Sequence, residues 1–365
     1  MRIRDALDPL LIEDALWHSS SADIAAMRQI TLYSRSADCP YPATASLPTE
    51  LEGLMTVAGT IDTHHHVLPP VWADWLHSHQ LFTSGPALPT WSPERAISFL
   101  DDSETAAAVV SVSAPGVHLG DDAEARRMAR AVNETVAELV KDRPDRFGFL
   151  ATLTLPDVDG AIAEAEYAFD HLGADGVVLI ASVRGQYLGD PAFEPLMAEL
   201  NKRAAVIFVH PGPLAGSRVP GLPDFLADFL LDTTRAALLM ARNGVLDRYP
   251  QLRILLSHGG GFLPYAAERF TALPYALDPV NGPGQLRKFY LDTALTASPL
   301  ALPSLLAFAD PDHITYGSDF PYADPALATH FAANLQSYPL DDTTRRAIHT
   351  DNALDLFPRF AAQGQ

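Results

Sequence analysis

Four apolar runs in this chain each lead to a side chain able to bind a metal ion. Thr60-Ile61-Asp62 runs into His64-His65-His66, Val206-Ile207-Phe208-Val209 into His210, Ile254-Leu255-Leu256-Ser257 into His258, and Ile314-Thr315-Tyr316-Gly317 reaches Asp319. Short apolar runs of this kind read as buried parallel strands. A parallel barrel gathers the C-terminal ends of all its strands at one mouth, so residues hundreds of positions apart can meet there around one ion.

The rest of the chain agrees with such a barrel. From Val57 onward, β-branched runs alternate with amphipathic helical stretches, the pattern of parallel strands joined by crossover helices. Eight strands are expected near 59–63, 107–113, 146–152, 175–180, 205–209, 253–257, 289–292 and 314–317. Helices are expected near 123–141, 157–172, 191–203, 224–243, 262–271, 298–308 and 324–335. The fold class is therefore α/β, a (β/α)8 TIM barrel over residues 55–365, with residues 1–54 as an N-terminal extension. At 365 residues the chain exceeds the roughly 250 of a typical barrel, which leaves room for that extension and for long loops. One such loop is expected from Val67 to Ser92, rich in large side chains (Trp72, Trp75, Leu81, Phe82, Trp91) that either roof a pocket or pack on the rim.

Composition narrows the function. A net charge of -20 repels phosphate backbones and leaves no basic stripe, which argues against nucleic-acid binding. No apolar run approaches the roughly 18 residues of a membrane span. The single cysteine, Cys39, excludes an internal disulfide, and the start of the chain lacks the apolar stretch of a secretory signal, so a cytoplasmic location is expected.

Side chains two apart on a strand share a face, so His64 and His66 are expected to face the mouth while His65 points outward. His210, before Pro211-Gly212, stands where a strand hands over to its loop. Asp319 lies in Gly317-Ser318-Asp319-Phe320-Pro321, where it is either a ligand or an ordinary turn residue. The three lysines, Lys141, Lys202 and Lys288, all miss the expected strand ends, which excludes a bridging modified lysine and favours one ion. His64, His66, His210 and Asp319 are the expected ligands, and their mixed donors suit zinc, with manganese, iron or cobalt as alternatives. His258 precedes Gly259-Gly260-Gly261, which leave space for substrate or backbone beside an imidazole suited to proton transfer near neutrality. Asp62 is either a partner that orients a ligand or a structural residue.

These residues, with Asn352-Ala353 near the end, resemble the amidohydrolase superfamily and its aminocarboxymuconate-semialdehyde decarboxylase branch, over about Thr60 to Pro358. Pro89-Thr90-Trp91-Ser92-Pro93, Ser111 to Val117 and Tyr187-Leu188-Gly189-Asp190-Pro191 resemble the 6-methylsalicylate decarboxylases more closely. Pro211-Gly212-Pro213 stands where the muconate enzymes carry a tryptophan, which argues against a muconate substrate. The resemblance implies a metal-bearing barrel and a homodimer.

The expected activity is non-oxidative decarboxylation of a small, salicylate-like aromatic acid, with one divalent ion as cofactor and with His258 and Asp319 managing protons. Trp91, Arg184, Phe262 and Phe320 are the expected substrate contacts, Arg184 for a carboxylate and the aromatic residues for the ring; solvation or simple packing is the alternative for each. Hydrolysis of a lactone or amide at the same site is the second reading. A barrel that binds metal without catalysis is the third.

Overall fold

The computed structural model describes residues 59–81, 87–214, 219, 221–272, 277 and 282–363. The extension expected over residues 1–54, and Phe82 of the expected loop, lie outside the described residues.

Eight parallel strands follow one another around the sheet in chain order. They are β1 (Ile61–His66), β2 (Ala107–Ser111), β3 (Phe147–Thr152), β4 (Gly176–Ile180), β5 (Val206–His210), β6 (Arg253–Leu256), β7 (Tyr290–Asp292) and β8 (Ile314–Thr315). The ring closes between β8 and β1, where Thr63 N donates to Tyr316 O (2.9 Å), His66 N to Phe320 O (2.7 Å) and Asp319 N to His64 O (2.8 Å). Together these elements make a (β/α)8 TIM barrel. The strands are buried nearly end to end, which is why each reads as a continuous apolar run. The main departure from the expected strands is β1, which runs on through all three histidines.

The principal described helices are α1 (Pro70–Ser78), α2 (Pro93–Asp102), α3 (Asp122–Asp142), α4 (Val158–Tyr167), α5 (Glu194–Lys202), α6 (Asp228–Arg242), α7 (Leu263–Ala272), α8 (Leu302–Phe308) and α9 (Pro325–Ser337). In α3 the Asp121 carboxylate caps Glu124 N at 2.6 Å, and Ala125, Ala129, Val132, Val136 and Val140 form the buried stripe. Asn133 of the same helix exchanges two hydrogen bonds with the backbone of Thr152 (2.9 and 3.0 Å), fixing the helix to the end of β3.

Helix α1 corrects the expected loop. It begins with Pro70 at its first position but has neither a side-chain cap nor an acidic residue in its first turn, so only one of the usual start signals is present. Its tryptophans serve the rim: Trp72 is fully buried and donates to Gly116 O (2.9 Å), while Trp75 donates to Glu124 (3.0 Å).

Beneath the start of β8, His349 is buried against Tyr316, with its ring stacked at 5.5 Å and its Nδ1 3.3 Å from Thr60 Oγ1. Burial pushes this imidazole down to about 4. Between that value and the ordinary value of roughly 6.5 the unfolded chain binds the proton and the folded chain does not, so stability is lost as pH falls through this window. The expected loss from this residue is about 2 kcal/mol between pH 7 and pH 5. Chemical denaturation of the protein and of His349→Leu at both pH values measures it, and the variant is expected to show a correspondingly smaller difference.

Candidate metal centre

Five side chains from four strand ends converge at the mouth. His64 Nε2 lies 3.1 Å from His66 Nε2, and both lie close to Asp319 Oδ1, at 3.3 and 3.2 Å. His258 Nε2 stands 3.5 Å from Asp319 Oδ2. The ring of His210 lies 4.8 Å from that of His66 and 5.5 Å from that of His64. One donor atom each from His64, His210, His258 and Asp319 falls within 4.8 Å of the others.

Hydrogen bonding decides where the lone pairs point. His64 Nδ1 faces Asp292 Oδ2 (2.6 Å), His66 Nδ1 faces Ser111 O (3.1 Å) and His210 Nδ1 faces Pro211 O (2.8 Å). A carbonyl or carboxylate oxygen only accepts, so each Nδ1 carries a hydrogen, and each ring, when neutral, turns an Nε2 lone pair toward its neighbours. Three such nitrogens and a carboxylate gathered in a buried site could hold a cation, and three nitrogens with one oxygen suit a single divalent metal. His258 differs, because its Nδ1 is buried with no hydrogen-bond partner among the described residues.

Electrostatics follow from the same arrangement. Burial alone would push the His64 imidazole down, but the carboxylates of Asp292 and Asp319 hold it up at about 10. Burial, with the neighbouring imidazoles, pushes His210 well below its ordinary value. Burial would raise the Asp319 carboxyl, yet its hydrogen bonds to His258, His64 and His66 hold it well below the usual carboxylate range.

Both His258 (φ 52°) and Asp319 (φ 61°) occupy the left-handed region, which costs non-glycine residues energy and persists only where the surroundings enforce it. Around Asp319 the enforcing group is Asp62. Its Oδ1 accepts from His64 N (3.1 Å) and Ser318 N (3.0 Å), and its Oδ2 from His65 Nδ1 (3.0 Å) and Ser318 Oγ (2.5 Å). Asp62 thus ties β1 to the turn that carries Asp319. Gly317 allows this close approach, since a Cβ there would sit 2.7 Å from His64 Cβ.

Helix α6 holds the other side of the mouth. Asp232 accepts from Ser182 Oγ (2.8 Å) in the loop after β4 and from Gly212 N (2.9 Å) in the loop after β5. Thr234 Oγ1 accepts from Phe262 N (2.8 Å), just beyond His258. The space left by the glycines after His258 is filled by protein rather than kept for substrate: a Cβ at Gly259 would meet Thr296, one at Gly260 Leu291, and one at Gly261 Leu230 O.

The expected substrate contacts fare unevenly. Phe320 is a correction, because it turns away from the mouth and stacks on Phe99 (4.4 Å, 15°) and against the outward His65 (5.0 Å). It follows the outward phase of the His65 position with which it pairs. Trp91 is half-buried and packs on the core, with an indole N–H that has no hydrogen-bond partner among the described residues. Arg184 is exposed at the tip of the small hairpin after β4, also in the left-handed region (φ 52°). Phe262 is half-buried beside α6. Two neighbours were not foreseen: Asp292 and Tyr322, whose ring meets the His66 ring edge-on at 5.2 Å. Tyr290-Leu291-Asp292 is itself an apolar strand ending in a carboxylate, so the signal that marks the other residues also marks Asp292.

Residues 61–359 match the family model described as Amidohydrolase. The chain belongs to the amidohydrolase family. Among relatives of this amidohydrolase, 6-methylsalicylic acid decarboxylase of Penicillium expansum is 36% identical over 311 residues, covering 82% of the chain and 96% of that protein. A solved structure of an amidohydrolase II superposes with a TM-score of 0.78 at 30% identity, covering 82% of the chain and all of that one. The fold is also shared with a dihydroxybenzoic acid decarboxylase from a Polaromonas species bound to manganese, at a TM-score of 0.69 and 22% identity, covering 83% of the chain and 97% of that structure. No helix among the described residues is long and apolar enough to cross a membrane.

Proposed function

We propose that this amidohydrolase removes the carboxyl group of a small, salicylate-like aromatic acid as carbon dioxide, without oxidation. The observation that carries this reading is the arrangement of His258 beside a carboxylate that is itself part of a cluster able to hold a cation, in a chain 36% identical over most of its length to a 6-methylsalicylic acid decarboxylase.

His64, His66, His210 and Asp319 would hold the ion. When bound, a divalent cation supplies a Lewis acid that draws the phenolic and carboxylate oxygens of such a substrate into one orientation. The proton chemistry belongs to the protein. Because its imidazole neighbours keep Asp319 ionised, the proton destined for the ring carbon is carried by His258, 3.5 Å away. Protonation at the carbon bearing the carboxyl group interrupts aromaticity; cleavage of the carbon–carbon bond then returns its electron pair to the ring and releases carbon dioxide.

Zinc is our expected ion on the donor chemistry, and manganese is the alternative that the Polaromonas neighbour supports. The test is to load the protein with each ion, incubate it with salicylate-type acids and with aromatic lactones, and record carbon dioxide against ring opening. Carbon dioxide from the acids is the expected result. Lactone opening without carbon dioxide would replace this reading by hydrolysis.

A further inference from the structure

We infer that Asp292 is a positioning residue that fixes His64 in the one tautomer able to bind a cation and, through its other oxygen, anchors the backbone that carries His258. Asp292 is fully buried at the end of β7. Its Oδ2 lies 2.6 Å from His64 Nδ1. Its Oδ1 accepts from Ala294 N at 3.1 Å and from Gly259 N at 3.4 Å, the residue that directly follows His258. No arginine or lysine forms an ion pair with it among the described residues; its one ion-pair partner there is His64. A carboxylate with no other charge to neutralise, held against one nitrogen of an imidazole, compels that nitrogen to carry a hydrogen, so that the ring in its neutral, ligating form offers the opposite lone pair.

The inference rests on the reading that His64 holds a metal, and it makes a specific statement about one substitution. In Asp292→Asn the two backbone N–H groups keep an oxygen at the Oδ1 position, because a carboxamide turned the other way would set its NH2 against two donors. The NH2 is then placed against His64 Nδ1, which must accept, and the ring hydrogen moves to Nε2, the nitrogen whose lone pair would bind the cation. A substitution of one atom thereby removes a ligand without touching it.

Zinc affinity is measured by competition with a chromophoric chelator on the parent protein and on Asp292→Asn, with the melting curve of each metal-free protein as a check on folding. A folded variant is expected to bind zinc about 10- to 100-fold more weakly. In the zinc-loaded parent, long-range proton–nitrogen NMR of His64 is expected to show hydrogen on Nδ1. A folded variant with parental affinity overturns the inference. So does a parent His64 carrying its hydrogen on Nε2, and this second measurement decides the matter if the variant fails to fold. A parent that binds no zinc or manganese defeats the metal reading itself, a result distinct from parental affinity in the variant.

Discussion

His258→Asn is expected to lower the turnover number for decarboxylation by about 10²- to 10⁴-fold while leaving the protein folded and its metal content unchanged. Asparagine is the informative replacement because it tolerates the left-handed backbone that His258 adopts (φ 52°), so the strain of the turn is not altered along with the chemistry. It also lacks a group that can hold and release a proton near neutrality. Steady-state kinetics with metal analysis on the same sample separates two cases. If turnover falls and metal stays, His258 carries the proton. If metal is lost as well, His258 is a ligand, in keeping with the close grouping of its nitrogen with those of His64 and His210.

His210→Ala is expected to lose both metal and activity. His210 is buried with its Nδ1 committed to Pro211 O, so its only uncommitted nitrogen points into the cluster. Loss of that nitrogen removes a ligand outright and should weaken metal binding beyond the roughly 10- to 100-fold that follows from losing a ligand's hydrogen-bond partner. Metal content after gel filtration and carbon dioxide release are the measurements, with circular dichroism to establish that the barrel is intact. Full metal occupancy in the variant would remove His210 from the set.

The barrel was legible because its strands are buried on both faces and each therefore shows as an uninterrupted apolar run. The candidate metal cluster was legible because strand ends in such a barrel share one mouth, so residue type at the end of a run carries spatial information. Residues beyond the strand ends were harder to read. Helix α1 begins with a proline but without a side-chain cap or a charge, and its tryptophans look like pocket walls until their N–H groups are seen to bond with the loop after β2 and with α3. Phe320 sits one residue past Asp319 but follows the outward phase of His65, a pairing made across the barrel seam that no local pattern reports. The ambiguity at Asp62 was likewise resolved only by contacts some 250 residues away in sequence, with Ser318.

The seam between β8 and β1 has a consequence of its own. With a last strand of only two residues, the ring is thinnest where it joins, and three of the four side chains proposed to grip the ion come from the two lips of that join: His64 and His66 on one, Asp319 on the other. A cation seated there would work as a clasp, so chelation would slacken the circle at that join, and the resilience of the folded enzyme would be tied to the supply of the same ion that its proposed chemistry uses.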